Sequence, residues 1–334
     1  MNHASEGESV GCIDCGSKSV GTAYVRFPKD SNYVTRTEEP TSPSDSGYVI
    51  LRCGDCGSIF LHPHYFGESF AVYSEGKYFT GYFPDNIHTG GGPVLTVPKF
   101  PSYTRHVNML RAANLLKIAG FKKFEGLRVI DIGCAKGDLV QGLADCGCEA
   151  SGVDVSTVST AEARKRGLTV HQGMFEDQAF PERHFDMIVS TETFEHMANI
   201  DRIASRIRDT LKPNGVLVIQ VPNDIEGYRS HFYGDIWWMI PPMHIRYFTA
   251  ASIKNIFSKY GFNLSGTETA GSFGVDVSSI ASWLLRKKGF GKLQASGTFK
   301  ASLSALNSLF RPIDLALNAG RKHSELIAVL RKNE

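Results

Sequence analysis

From Leu127 onward, short apolar runs alternate with segments whose apolar residues recur every three or four positions. "LRVIDIG", "EASGVDVS", "LTVHQG", "FDMIVSTET" and "VLVIQVPN" read as buried strands. Between them, "DLVQGLADCG" reads as a helix stopped by Gly147. "TAEARKRG" reads as a helix with Ser156 as its N-cap and Gly167 as its stop. "NIDRIASRIRDTLKPNG" places Ile200, Ile203, Ile207 and Leu211 on one helical face. A further helix, "TAASIKNIFSKYGF", and two strands, "FNLSGTETAG" and "SELIAVLRK", follow. This repetition predicts an α/β fold, a parallel doubly wound sheet whose ligands lie at the strand C-terminal ends. Upstream, a helix is expected from Ser102 to Ala119. Its apolar positions are Val107, Leu110, Ala113, Leu115 and Ile118, and Gly120 ends it.

The N-terminal part has another pattern. Two near-copies, "CIDCGS" and "CGDCGS", each set two thiols a turn apart before a glycine. Two such knuckles supply the four sulfurs of a closed structural zinc site: Cys12, Cys15, Cys53 and Cys56. With the strand-like pieces "TAYVRF" and "GYVILRC", this predicts a zinc ribbon over 1–66, with His62 and His64 as ordinary strand-exit residues. Residues 67–101, rich in aromatics, Gly and Pro, read as a linker wrapping the next domain, which runs over 102–334. That domain carries a helical insert at about 272–322.

Charge narrows the partners. The whole chain of 334 residues carries only +2, so no global basic field asks for nucleic acid. Residues 1–66 hold five basic and eight acidic residues, the wrong sign for a phosphate reader, which favours a ribbon packed on the main domain. Residues 280–334 hold ten basic residues against three acidic ones. A solvated hairpin or a dimer contact is the plainer reading of that insert, with peripheral membrane contact as the alternative. The polar start "MNHASEGESVG" lacks the pattern of a signal peptide, and no apolar run is long enough for a transmembrane helix. Seven cysteines, an odd number, suggest a reducing, cytoplasmic setting.

The turn after the first strand decides the ligand. "GCAKGDL" lacks the Lys-Ser/Thr of a P-loop and the GxGxxG spacing of a dinucleotide loop. Asp131, just before it, would repel a pyrophosphate but suits an ammonium group. S-adenosylmethionine (SAM) presents an ammonium there and has no phosphate. Asp154, ending the next strand, is placed to accept ribose hydroxyls.

With these residues in view, "VIDIGCAKGDL", "GVDVS", "FDMIVSTETFEHM" and "LKPNGVLVIQVPN" resemble successive motifs of the class I SAM-dependent methyltransferases. "CIDCGS…RCGDCGSIFLHP…YSEGKYF" ahead of them resembles the zinc-ribbon-bearing branch, which includes sugar C-methyltransferases and gene-cluster methyltransferases, and "PPMHIRYFT" resembles a recurrent family segment before its last large helix. The resemblance spans about 10–265 and the final strand, and implies a Rossmann-like methyltransferase sheet. It implies that Asp131, Gly133 and Gly137 line the methionine end, that Asp154 holds the ribose, and that Val155 packs on the adenine. Met174, Phe175 and Glu176 would flank the adenine edge, and Thr191 and Glu192 would lie near the methionine. Ala135 departs from the family pattern, which often has Gly there.

Methyl transfer needs alignment and, for a protonated nucleophile, a base. His196 and His244 both follow strand C-terminal ends, and Glu195 can orient His196. A histidine base predicts a rate that rises with pH through the imidazole range. Tyr228, Phe232, Trp237 and Trp238 are candidates for an aromatic wall over the site. The function expected is methylation of a small molecule, such as a nucleotide-linked sugar. RNA or protein methylation with the ribbon as reader, and SAM binding without catalysis, are the alternatives.

Overall fold

Ten strands in two sheets form the frame of the computed structural model, which describes residues 10–24, 49–62, 101–197, 199–223, 225–227, 244–271, 311–320 and 322–333. The first sheet is the ribbon: β1 (Val20–Tyr24), β2 (Val49–Cys53) and β3 (Ile59–His62), each antiparallel to the next. The second holds β4 (Arg128–Ile132), β5 (Glu149–Asp154), β6 (Val170–Gln172), β7 (Phe185–Thr191), β8 (Leu211–Pro222), β9 (Phe262–Ala270) and β10 (Glu325–Lys332). Its order is β6-β5-β4-β7-β8-β10-β9. This is the Rossmann-like arrangement expected, with the crossover point between β4 and β7.

The sheet is mixed, however, not parallel throughout. β10 inserts between β8 and β9 and runs antiparallel to both. The strand periodicity that identifies β10 is blind to direction, so the sequence pattern could not reveal this.

Among the described residues six helices follow the pattern: α1 (Pro101–Ile118), α2 (Asp138–Asp145), α3 (Thr157–Lys165), α4 (Ile200–Thr210), α5 (Ala250–Ser258) and α6 (Arg311–Ala319). Alternate strand residues point to opposite faces, and each face is covered. Val129, Met187 and Val218 meet Leu115 and Leu116 of α1 and Leu143 of α2. Ile130, Ile188 and Leu217 meet Ile203 and Ile207 of α4 and Phe257 of α5. Ser156 caps α3 by accepting from the Ser159 N–H. Thr249 and Ser252 form a capping box at α5.

Two expectations change. Helix α4 ends at Thr210, and Leu211 already begins β8, pairing with Phe185. Pro213, which has no N–H to donate, follows at once, consistent with an end to the helix there. In α1 the buried stripe is Ala112, Leu115, Leu116 and Ala119, whereas Val107 and Leu110 are 43% and 53% exposed. The stripe is set by close contact with α2. A Cβ on Gly142 would fall 2.3 Å from the Asn108 carbonyl oxygen, so the helices approach at a residue with no side chain. Arg105 and Asp145 form an ion pair across the same junction. Gly142→Ala should therefore lower the melting temperature. Overpacking against backbone costs about 1–3 kcal/mol and outweighs the helix-propensity gain of about 1 kcal/mol. An unchanged or raised melting temperature would contradict this close approach.

Among the described residues no helix is long and apolar enough to cross a membrane. Of the predicted insert, α6 is described, with Ile313 and Leu315 exposed. The patches "SSIASWLLRKK" and "LSALNSLF", the linker over 67–100 and His64 lie outside the described residues.

Candidate active site

The β4–α2 turn is a cradle at the strand C-terminal edge. Gly133 has φ 79°, and its N–H donates to the Val153 carbonyl on β5. A Cβ there would meet the Thr193 Oγ1 at 2.1 Å, so only glycine lets the β7 exit loop close over the turn. Ala135 adopts φ 45°, a left-handed conformation that costs a non-glycine residue about 1 kcal/mol or more. Asp154 explains how it is held. Its Oδ2 accepts the Ala135 N–H at 2.8 Å and its Oδ1 accepts the Ser156 N–H at 2.8 Å. The carboxylate thus braces the loop from β5, and each oxygen keeps a lone pair for a further donor.

Asp131 sits beneath this loop, 2% exposed, with no hydrogen-bond partner for Oδ1. Burial pushes its carboxyl up to about 8, against the pull of Arg111 and helped by the charge of Asp154. A buried carboxylate with an open acceptor is a receptor for a cation.

The other predicted residues distribute unevenly. Gly137 caps α2 in the left-handed region. Val155, Met174, Glu176 and Thr191 are half-buried on the same edge, and burial raises Glu176. Phe175 differs from these half-buried neighbours. It is buried in the core, where its ring packs 5.5 Å from that of Phe180. Glu192 is exposed and takes φ 52°, its N–H donating to the Gln220 carbonyl.

Just beyond β7, a single turn of helix (Phe194–His196) brings Glu195 and His196 beside His244. The two imidazole rings lie edge to face, centroids 4.8 Å apart, and the Glu195 Oε1 is 3.6 Å from the His196 Nε2. Ligating atoms of all three lie within 4.8 Å of one another, a set able to pass a proton or hold a cation. Burial, and then the nearby His196, drive His244 well below the usual imidazole range. Its Nδ1 is buried without a hydrogen-bond partner. His244 is therefore neutral near pH 7 and open to accept a proton. A base lowered in this way leaves the rate flat near neutrality and lets it fall only in acid. The aromatic wall (Tyr228, Phe232, Trp237, Trp238) lies outside the described residues.

Residues 103–265 match the protein family described as "Methyltransferase domain". This part of the chain belongs to that family. The chain is 28% identical over 156 residues to the ubiquinone biosynthesis O-methyltransferase of Azorhizobium caulinodans, covering 43% of this chain and 62% of that protein. It is 32% identical over 108 residues to the protein of the same name from Chelativorans, covering 30% and 43%. The chain thus spans less than two thirds of the length of these curated relatives. Among solved structures, it is similar to Haemonchus contortus phosphoethanolamine N-methyltransferase 2 with phosphomonomethylethanolamine and S-adenosylhomocysteine (TM-score 0.45, 21% identity, 67% of this chain and 52% of that one). A putative sarcosine dimethylglycine methyltransferase from Galdieria sulphuraria gives TM-score 0.46 at 18% identity, covering 67% and 84%.

The methyltransferase domain's cradle fits SAM on its own chemistry. The open acceptor of Asp131 matches an ammonium, and the Gly133 turn leaves no side chain in the way. Asp154 has acceptor capacity to spare for ribose hydroxyls.

Docked on the methyltransferase domain, the ribbon gathers Cys12, Cys15, Cys53 and Cys56 with all four sulfurs within 4.8 Å. The cysteines are free, and the Cys12–Cys56 and Cys15–Cys53 sulfurs stand 3.5 and 3.6 Å apart. Tetrahedral Zn–S bonds of about 2.3 Å put sulfurs about 3.8 Å apart, so the set fits zinc. Backbone N–H groups of Asp14 and Cys56 point at the Cys12 and Cys53 sulfurs, as the knuckle spacing predicts.

Sequence reasoning missed three residues at this site. Thr193 packs on Gly133, Arg246 lies buried two residues past His244, and Asp14 is its partner in the ribbon. Arg246 carries the only local signal, a charge inside the otherwise apolar run "IRYF".

Proposed function

We propose that this protein is a SAM-dependent methyltransferase that methylates a hydroxyl of a small molecule. The observation that carries the reading is the juxtaposition on one sheet edge of the Asp131 cradle and a buried, neutral His244 with an open Nδ1. SAM, when bound, supplies an electrophilic methyl group. Asp131 fixes its ammonium end and Asp154 its ribose. His244 takes the hydroxyl proton as the nucleophile attacks, with His196 and Glu195 beside it to share the charge. The name O-methyltransferase borne by the relatives supports an oxygen acceptor. A nucleotide-linked sugar is one acceptor class with such hydroxyls. The acidic ribbon speaks against RNA, and seven free cysteines suit a reducing cytoplasm.

The test is transfer of labelled methyl from SAM to a catechol, a nucleotide-linked sugar, total RNA and a protein extract. Label in either small molecule is expected, whereas label confined to RNA or protein would overturn the reading. With the labelled acceptor, His244→Asn should lower the single-turnover rate about a hundredfold, the low end of general-base contributions. S-adenosylhomocysteine affinity should be unchanged. The wild-type rate should stay flat between pH 7 and 8.5 and fall only on the acid side of the imidazole range. A rise across that alkaline interval would assign the base to another group.

A further inference from the structure

The ribbon meets the methyltransferase domain at the end of α5, where Asn255 Nδ2 and Lys259 Nζ donate to the Cys56 and Asp14 carbonyls at 3.0 Å each, and along the segment that carries His244. Strand β3 continues across the boundary. The Leu61 N–H donates to the Ile245 carbonyl at 3.1 Å, and the Tyr247 N–H donates to the Ile59 carbonyl at 2.9 Å. Phe60 and Arg246 stand opposite each other in this antiparallel bridge. On its other side the same segment holds the turn of Glu195, because the Ile245 and Arg246 N–H groups both donate to the Glu195 carbonyl, at 2.9 and 3.2 Å.

Arg246 links all three parts through its side chain. Its Nε and Nη2 donate to the Asp14 Oδ1 at 3.0 and 2.8 Å, and its Nη1 donates to the Met197 carbonyl. Asp14 lies between the ligands Cys12 and Cys15, and Met197 follows His196 directly. Both charged side chains are buried, 2% and 3% exposed. As a device for stability alone, a buried ion pair is a poor choice, because desolvation cancels much of its attraction. What it does supply is direction. A planar guanidinium can satisfy two acceptors only at one mutual orientation, which an ammonium cannot impose.

We propose that Arg246 is a positioning residue that transmits the state of the zinc knuckle to the His196–His244 pair, so that the zinc of the ribbon sets the geometry of the proton-accepting group without touching it. The inference rests on the reading of that pair given above. It makes the ribbon part of the catalytic apparatus, not a separate module.

Arg246→Lys keeps the charge and loses the fork, so it separates the two roles. The full zinc-loaded chain, labelled at histidine, gives imidazole NMR signals that His196→Asn and His244→Asn assign by deletion. In Arg246→Lys both signals should move while that of His106, on α1, stays. S-adenosylhomocysteine affinity should remain within about twofold, as for separated sites. Chelating zinc from the wild type should move the same two signals, and in Arg246→Lys should move them less than half as far. The proposal falls if the lysine variant, with its zinc retained, leaves both signals in place. It falls equally if chelation moves them alike in the two proteins. Should Arg246→Lys not fold, Asp14→Asn/Arg246→Gln removes both buried charges together, and the same chelation comparison decides. Failure of the wild type to bind S-adenosylhomocysteine would overturn the methyltransferase reading instead, and the signals would still judge the coupling.

Discussion

Asp131→Asn is expected to weaken S-adenosylhomocysteine binding about a hundredfold, since a charge-assisted hydrogen bond in a buried site contributes about 3 kcal/mol. The same change should relieve the ligand-free protein. Asp131 is fully buried and holds its proton up to about 8, whereas in an unfolded chain an aspartate ionises near 4. Because the folded value is the raised one, its contribution to stability is complete below pH 4 and is lost as pH rises through 8. Between pH 5 and 9 the melting temperature of Asp131→Asn should therefore gain on that of the wild type. Ligand binding adds a second signature. An ammonium against the carboxylate favours ionisation, so binding at pH 7 should release nearly one proton from the wild type and almost none from the variant. Calorimetry in buffers of different ionisation enthalpy measures that proton. Equal release from both proteins would place the cation elsewhere.

Cys53→Ser should abolish zinc retention and open the ribbon. Structural zinc contributes about 10–16 kcal/mol to folding in zinc-finger peptides, far more than three short strands can bury. Cys53 is buried and belongs both to β2 and to the second knuckle, so its loss removes a ligand and loosens the sheet together. Metal analysis should fall from one zinc per chain toward none, and limited proteolysis should cut within 10–62 while 101–223 resists. Undiminished zinc in the variant would mean that the metal is held by another set of ligands.

Much of this architecture is legible in the residues. Short apolar runs mark the central strands of the larger sheet, which are buried on both faces, and the glycines at 133, 147 and 167 stop or turn the chain where φ is positive. The two CxxC knuckles converge because their spacing leaves the sulfurs few other arrangements. Periodicity reports which residues are buried but not what buries them. It therefore shows neither the direction of β10 nor the true inner stripe of α1, which Gly142 sets from another helix. At the site, the position of Asp131, Asp154 and His196 on one edge follows from strand order. The brace from Asp154 to Ala135 and the Arg246–Asp14 pair do not, because they join residues 19 and 232 positions apart. Phe175 shows the converse, a residue of the right type in the right stretch whose ring is claimed by the core.

The place of β10 has a bearing on how the chain is made. Among the described residues, β8 has one edge open and β9 has no strand partner until residues 325–332 arrive to pair with both. On a ribosome, everything from β4 to β9 is synthesised before the sheet can close. Any interruption before Glu325 leaves two unpaired edges that other chains can join. Completion of the sheet thus reports that translation has passed β10, and a product that stops short of it is left to aggregation or to proteolysis.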